Sequence, residues 1–97
     1  MTEMEMELEK TKLFVKGLEW KLRGRDLVEY FSQWGKVVHA TVKLDQDRKS
    51  LGYGFVEFET EEDAENALNA SNEQEFSGRK IYVSYAKQRQ PRTDENN

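Results

Sequence analysis

The chain contains no cysteine, which rules out disulfides, thiolate metal centres and cysteine nucleophiles. Histidine occurs once, at His39, and a single imidazole makes neither a metal site nor a hydrolase dyad. No apolar run approaches the roughly 18 residues that a membrane helix needs. The N-terminus is acidic, whereas signal and transit peptides begin basic, so no targeting segment is read there. Proline appears only at Pro91. Excess positive charge is also lacking: 15 basic side chains stand against 19 acidic ones, a net charge of −4. No segment isolates a pair of carboxylates in apolar surroundings, and Gly52-Tyr53-Gly54 is too short to cradle a phosphate. A soluble, intracellular, non-enzymatic protein without cofactor or metal is expected.

What is present fits one domain of 97 residues. The acidity is concentrated at the ends. Glu3, Glu5, Glu7 and Glu9 face Lys10 alone, and Asp94 and Glu95 face Arg92, whereas residues 12–89 carry 13 basic and 13 acidic side chains. Residues 1–11 read as a disordered acidic arm, because four glutamates on one strand face would repel. Residues 90–97 read as a frayed polar tail. The neutral middle lacks the broad attraction for polyanions of very basic domains.

Between the ends the pattern is strand, helix, strand, strand, helix, strand. Leu13 to Gly17 is a short apolar run closed by glycine. Residues 23–34 place Leu27, Val28, Phe31 and Trp34 at helical spacing, with Gly35 as terminator, Gly24 weakening the start and no strong N-cap. Val37 to Leu44 is a β-branched strand, residues 45–50 a charged turn, and Gly52 to Phe58 an aromatic strand. Thr60, with Asp63 three residues on, opens a second helix whose inner stripe is Ala64, Ala67 and Leu68. Phe76, Ser77 and Gly78 turn into a last strand, Ile81 to Tyr85. The order implies an α+β, ferredoxin-like β-α-β-β-α-β sandwich: a four-stranded antiparallel sheet with two helices on one face.

Two strands carry the functional signal. In residues 51–58, Gly54, Val56 and Phe58 share one face, and Tyr53, Phe55 and Glu57 share the other. Two helices cover only one face of a sheet. With Val56 and Phe58 turned to the helices, Tyr53 and Phe55 stand on the open side. The same alternation turns Leu13 and Val15 inward and Phe14 and Lys16 outward. Leaving each ring in water forgoes roughly 1.5–3 kcal/mol of burial, which implies a partner.

LGYGFVEF (residues 51–58) resembles the ribonucleoprotein octamer of the RNA-recognition-motif family, agreeing at seven of eight positions with the free one counted. LFVKGL (residues 13–18) resembles the companion hexamer, in the family's order and separation, and the resemblance covers residues 12–89. GLEW and DLVEYFSQWG look most like the heterogeneous nuclear ribonucleoprotein A/B branch. The resemblance implies single-stranded RNA binding, with single-stranded DNA as a further ligand, by a monomer off the membrane. It puts Phe14 and Tyr53 at base-stacking positions and Phe55 against sugars. Lys16 and Lys43 match positions near the backbone. Tyr82, Ser84, Lys87 and Arg89 match the last strand and its exit, where base edges are read. His39 and Thr41 alternate outward with Lys43; His39 either touches RNA or stands in solvent. Glu57 occupies the free octamer position on the RNA side.

The octamer opens with Leu51 where the family has Lys or Arg, so one phosphate contact is lost, for which Arg48 or Lys49 would substitute. The turn carrying them is short and lacks the family's Thr-Gly pair. Trp20 is read as packing on its loop, with a place on the RNA surface as the alternative, Trp34 as core and Phe76 as a staple under the final turn. The run Glu59, Glu61, Glu62, Asp63 is a solvated helix start, and in the second reading, a protein-interaction module, the docking face. Nucleus or cytoplasm is expected, with an RNA-containing organelle also open.

Overall fold

The computed structural model describes residues 8–87. Along β1 (Leu8–Lys16) Leu13 and Val15 are fully buried while Phe14 is half-buried and Lys16 exposed, so the strand has a dry and a wet face. The elements that follow are α1 (Gly24–Phe31), β2 (Val37–Leu44), β3 (Ser50–Phe58), α2 (Glu61–Ser71), the short hairpin β4 (Glu75–Phe76) and β5 (Arg79–Lys80), and β6 (Tyr82–Lys87). The main sheet is antiparallel, in the order β2-β3-β1-β6. Its dry face gives Leu13, Val15, Val42, Val56, Phe58 and Val83 to one core with Leu27 and Phe31 of α1 and Ala64 and Ala67 of α2. Both helices thus lie on one side, as the ferredoxin-like order requires.

Each helix follows from local chemistry. In α1, Leu27 and Phe31 are buried four residues apart. The helix ends at Phe31, so Trp34 sits just beyond it, half-buried against the core. Val28, expected on the inner stripe, is 38% exposed, because the buried stripe is only as wide as the Leu27–Phe31 line. The start is closed by Asp26, whose carboxylate accepts the Arg23 backbone N–H at 2.8 Å. Gly24 belongs there for packing: a Cβ would come within 2.8 Å of the Ala40 carbonyl oxygen of β2.

In α2 the Thr60 hydroxyl accepts the Asp63 N–H at 3.1 Å, the cap expected from the sequence. Thr60→Ala removes that acceptor, and a loss of about 1 kcal/mol in urea unfolding is expected. An unchanged midpoint would show that the cap contributes nothing. Tyr30 of α1 stacks on Phe76 of β4 at 4.0 Å and 14°, so Phe76 does staple the final turn. Partial burial raises the Tyr30 phenol pKa above its ordinary value.

β1 begins earlier than the sequence pattern suggests. Leu8 and Glu9 pair with Lys87 and Ala86 across a register shift lying between Glu9 and Leu13. The last strand runs on past Tyr85, which supplies a partner edge that local pattern cannot reveal. Residues 8–11 of the expected arm are therefore strand, and residues 1–7 lie outside the described residues, as does the tail. No helix among the described residues is long and apolar enough to cross a membrane.

Candidate nucleic-acid interface

Antiparallel register arranges the open face as a grid. In the middle row Ser84, Phe14, Phe55 and Thr41 face one another across β6, β1, β3 and β2. In the next row Tyr82, Lys16 and Tyr53 do the same, with Lys43 at the β2 end, where a register shift separates Val42 from Leu44. On the other side Lys12 opposes Glu57, which opposes His39. The strand directions inferred from the octamer and hexamer thus bring Phe14, Tyr53 and Phe55 together on one surface.

The Phe14 ring is the hub. Its centroid lies 5.6 Å from that of Tyr53 and 5.4 Å from that of Phe55, at tilts of 52° and 48°. All three rings are half-buried, so they support one another and still show surface to water. Such tilted pairs contribute about 0.5–1.5 kcal/mol beyond area burial, which fixes the rings before any ligand arrives. Gly54, between Tyr53 and Phe55, faces the core under β2, where a Cβ would overlap the Thr41 carbonyl. Glycine at this octamer position thus lets β2 lie close enough for Thr41 to stand beside Phe55.

Phe55 carries a feature that the sequence pattern did not disclose. The Lys12 ammonium lies 5.5 Å from its centroid and the Lys43 ammonium 5.8 Å. One lysine comes from β1 and the other from β2, so two cations converge on this ring. Lys12 was missed because it precedes the hexamer. Its alternation with Phe14 is the signal that would have found it.

Beside the rings, Phe14, Phe55, Ser84, Tyr85 and Ala86 line an open concavity of about 360 Å³. Ser84 and Tyr82 are exposed, and His39, Thr41 and Lys43 occupy the β2 edge, with Thr41 half-buried. The Tyr85 phenol turns the other way. Desolvation raises its pKa first, with further increments from the carboxylates of Glu65 and Glu61 on α2. Lys87 ends β6, and Arg89 lies outside the described residues.

The turn with Arg48 and Lys49 is held firmly. The Asp45 carboxylate accepts the N–H groups of Asp47 and Lys49 at 2.8 and 2.9 Å, and an Arg23 guanidinium N–H reaches the Arg48 carbonyl at 3.4 Å. Both basic side chains are exposed at this end of the sheet, where Leu51 is 49% exposed. Trp20 corrects the expectation of packing: it is 65% exposed. Its loop is fastened instead by the Leu18 N–H donating to the Gly52 carbonyl and by the Arg23 guanidinium donating to the carbonyls of Trp20 and Leu22. The indole is left outside with the Lys21 ammonium 5.5 Å from its ring.

Charge is segregated between the two sides of the domain. The outward positions of the sheet named above hold Lys12, Lys16 and Lys43 against Glu57, while α2 exposes Glu61, Glu62 and Glu65. The acidic total therefore does not describe the open face. Among the described residues no group of three or more metal-ligating side chains converges.

Comparison with known proteins agrees with this geometry. The family model described as RNA recognition motif matches residues 13–82. The chain is 41% identical over 81 residues to the Arabidopsis thaliana protein named small RNA-binding protein 11, chloroplastic, covering 82% of this chain and 56% of that one. It is 40% identical over 80 residues to glycine-rich RNA-binding protein 4, mitochondrial, of the same plant, covering 81% of this chain and 59% of that one. The chain thus spans just over half the length of these two relatives. Among solved structures, RNA binding protein PG1 superimposes with a TM-score of 0.77 at 38% identity, covering 82% of this chain and 98% of that one.

Proposed function

The chain belongs to the RNA recognition motif family, and from that premise we propose that it binds single-stranded RNA across the open face of its sheet. Bases stack on Phe14 and Tyr53, ribose lies along Phe55, and Lys12, Lys16 and Lys43 meet the phosphates. The observation that carries the reading is the cluster of three rings, joined through Phe14, on the side of the sheet that the helices leave bare. Each base stacked on an aromatic side chain is worth about 1–3 kcal/mol. Lys12 supplies from β1 the charge that Leu51 does not. The domain is a binding module with no chemistry of its own. Ser84 and Tyr82 on β6 meet base edges in this reading, and Lys87 and Arg89 are proposed to do the same from the family pattern. Because relatives bear the names chloroplastic and mitochondrial, an RNA-containing organelle is a setting to test beside nucleus and cytoplasm.

Amide chemical shifts recorded while a short single-stranded RNA is added test the reading. The largest changes are expected on β1, β3 and β6. Three phosphate contacts on a single strand should give log K against log salt a slope near −2, at about −0.7 per contact. Shifts confined to α1 and α2, or none, would overturn the proposal in favour of a protein-docking module. A DNA oligonucleotide of the same sequence is the companion arm, since stacking ignores the sugar and only 2′-hydroxyl contacts separate the two.

A further inference from the structure

Glu57 is the one carboxylate in the grid of outward positions, and three lysines share that surface. It is half-buried, flanked by Lys12 on β1 and His39 on β2. The Lys12 ammonium lies 5.5 Å from the centroid of the neighbouring Phe55 ring. Among the described residues its carboxylate accepts no hydrogen bond. On a surface that receives phosphates, such a group is unfavourable unless the ligand brings it a donor.

We infer that Glu57 is a specificity-determining residue that selects guanine for the base stacked on Phe14. The inference rests on the RNA-binding reading above and adds to it the identity of one base. Phe14 opposes Phe55, so Glu57 is its diagonal neighbour on β3. Diagonal neighbours lie about 7–8 Å apart, within reach of the edge of a base seated on the ring.

An ionised carboxylate only accepts hydrogen bonds. Uracil offers a single N–H between two carbonyl oxygens that would face the carboxylate. Adenine and cytosine each offer an amino group beside a bare ring nitrogen. Guanine alone has two adjacent donors, N1–H and the N2 amino group, which match the two carboxylate oxygens. That fork is charge-assisted and bidentate, the geometry that discriminates best. In a single strand this Watson–Crick edge is free to be read.

The test is fluorescence anisotropy with a series of short uridine-rich RNAs. Each carries guanosine, adenosine, cytidine or inosine at one position in turn. At one position the wild-type chain should bind guanosine about tenfold more tightly than adenosine or cytidine. Inosine, which keeps N1–H and lacks the amino group, should fall between. Glu57→Gln should abolish the preference for guanosine over adenosine and should tighten binding to the all-uridine RNA, because a negative charge leaves the surface. RNA binding with no guanosine-preferring position, or a preference that survives Glu57→Gln, overturns the inference and leaves the RNA-binding reading standing. A wild-type chain that binds none of the RNAs overturns both.

Discussion

Phe14→Ala/Tyr53→Ala is expected to weaken single-stranded RNA binding by about thirty-fold or more while the domain stays folded. The magnitude follows from two lost stacking surfaces at about 1–3 kcal/mol each. Neither ring belongs to the core: the buried residues beside them, Leu13, Val15 and Val56, project from the opposite side of the sheet. The pair of rings contributes about 0.5–1.5 kcal/mol to stability through its own contact, so thermal unfolding should move modestly and the amide spectrum should stay dispersed. Lys16, Lys12 and Lys43 remain in the variant, and residual binding should therefore keep its salt dependence. The two readouts separate stacking from charge: affinity falls and the slope of log K against log salt holds. Affinity within threefold of wild type would show that the rings do not carry the RNA. A slope that collapses with the rings would show instead that the lysines need the rings to find phosphate.

The face that carries these rings was legible because a strand has a period of two. With Val56 and Phe58 assigned to the core, Tyr53 and Phe55 had one place left to go. The same logic at Leu13 and Val15 placed Phe14. Adjacency of the two strands, however, is a property of the fold, and it came from the family resemblance. Register was harder still. That Lys12 stands opposite Glu57, with its ammonium over Phe55, depends on which residue of β1 faces which residue of β3. One step of slip would move Lys12 to the other side of the sheet. Trp20 shows a different limit. An indole in a loop reads as a packing residue by its size, and its exposure follows from Arg23 having taken over the fastening of that loop. Val28 fits helical spacing but falls outside the narrow line of contact, because an eight-residue helix spends its buried face on Leu27 and Phe31.

Net charge was the least informative of the sequence quantities, and the fold explains why. Carboxylates at Glu61, Glu62 and Asp63 sit in the first turn of α2, where the helix dipole favours them. That helix packs behind the sheet, against β1 and β6, so the layer of the domain separates its charges from an RNA on the far side. Only the carboxylates of the open face and its rims compete with phosphates. In the proposed mode of binding, Glu57 is therefore the acidic residue that an RNA on this face would meet directly, whereas the helix carboxylates would act at long range and be screened by salt.

Phe31→Ala carries the largest expected effect on stability, a loss of about 3–5 kcal/mol, the range for deleting a fully buried phenylalanine. Phe31 has no exposed surface and is ringed by aromatic neighbours: Tyr30 at 5.0 Å, Trp34 at 5.7 Å and, across the layer, Phe58 of β3 at 6.3 Å. The cavity would open where α1 meets the sheet, and the rigid strand wall cannot collapse to fill it. Against a total of about 5–15 kcal/mol, the melting temperature should fall by at least about 12 °C. Phe31→Leu keeps most of the volume and should fall far less, which leaves a measurable variant if alanine unfolds the chain. Phe31 lies behind the sheet from the rings, so the folded fraction should bind RNA as wild type does. RNA at a hundred times its Kd should then return about 2.7 kcal/mol to Phe31→Ala, because only the folded state binds. A loss below 1 kcal/mol would place the keystone of the core elsewhere. Failure of saturating RNA to raise the melting temperature would mean that the cavity reaches through β3 to Phe55 and Glu57.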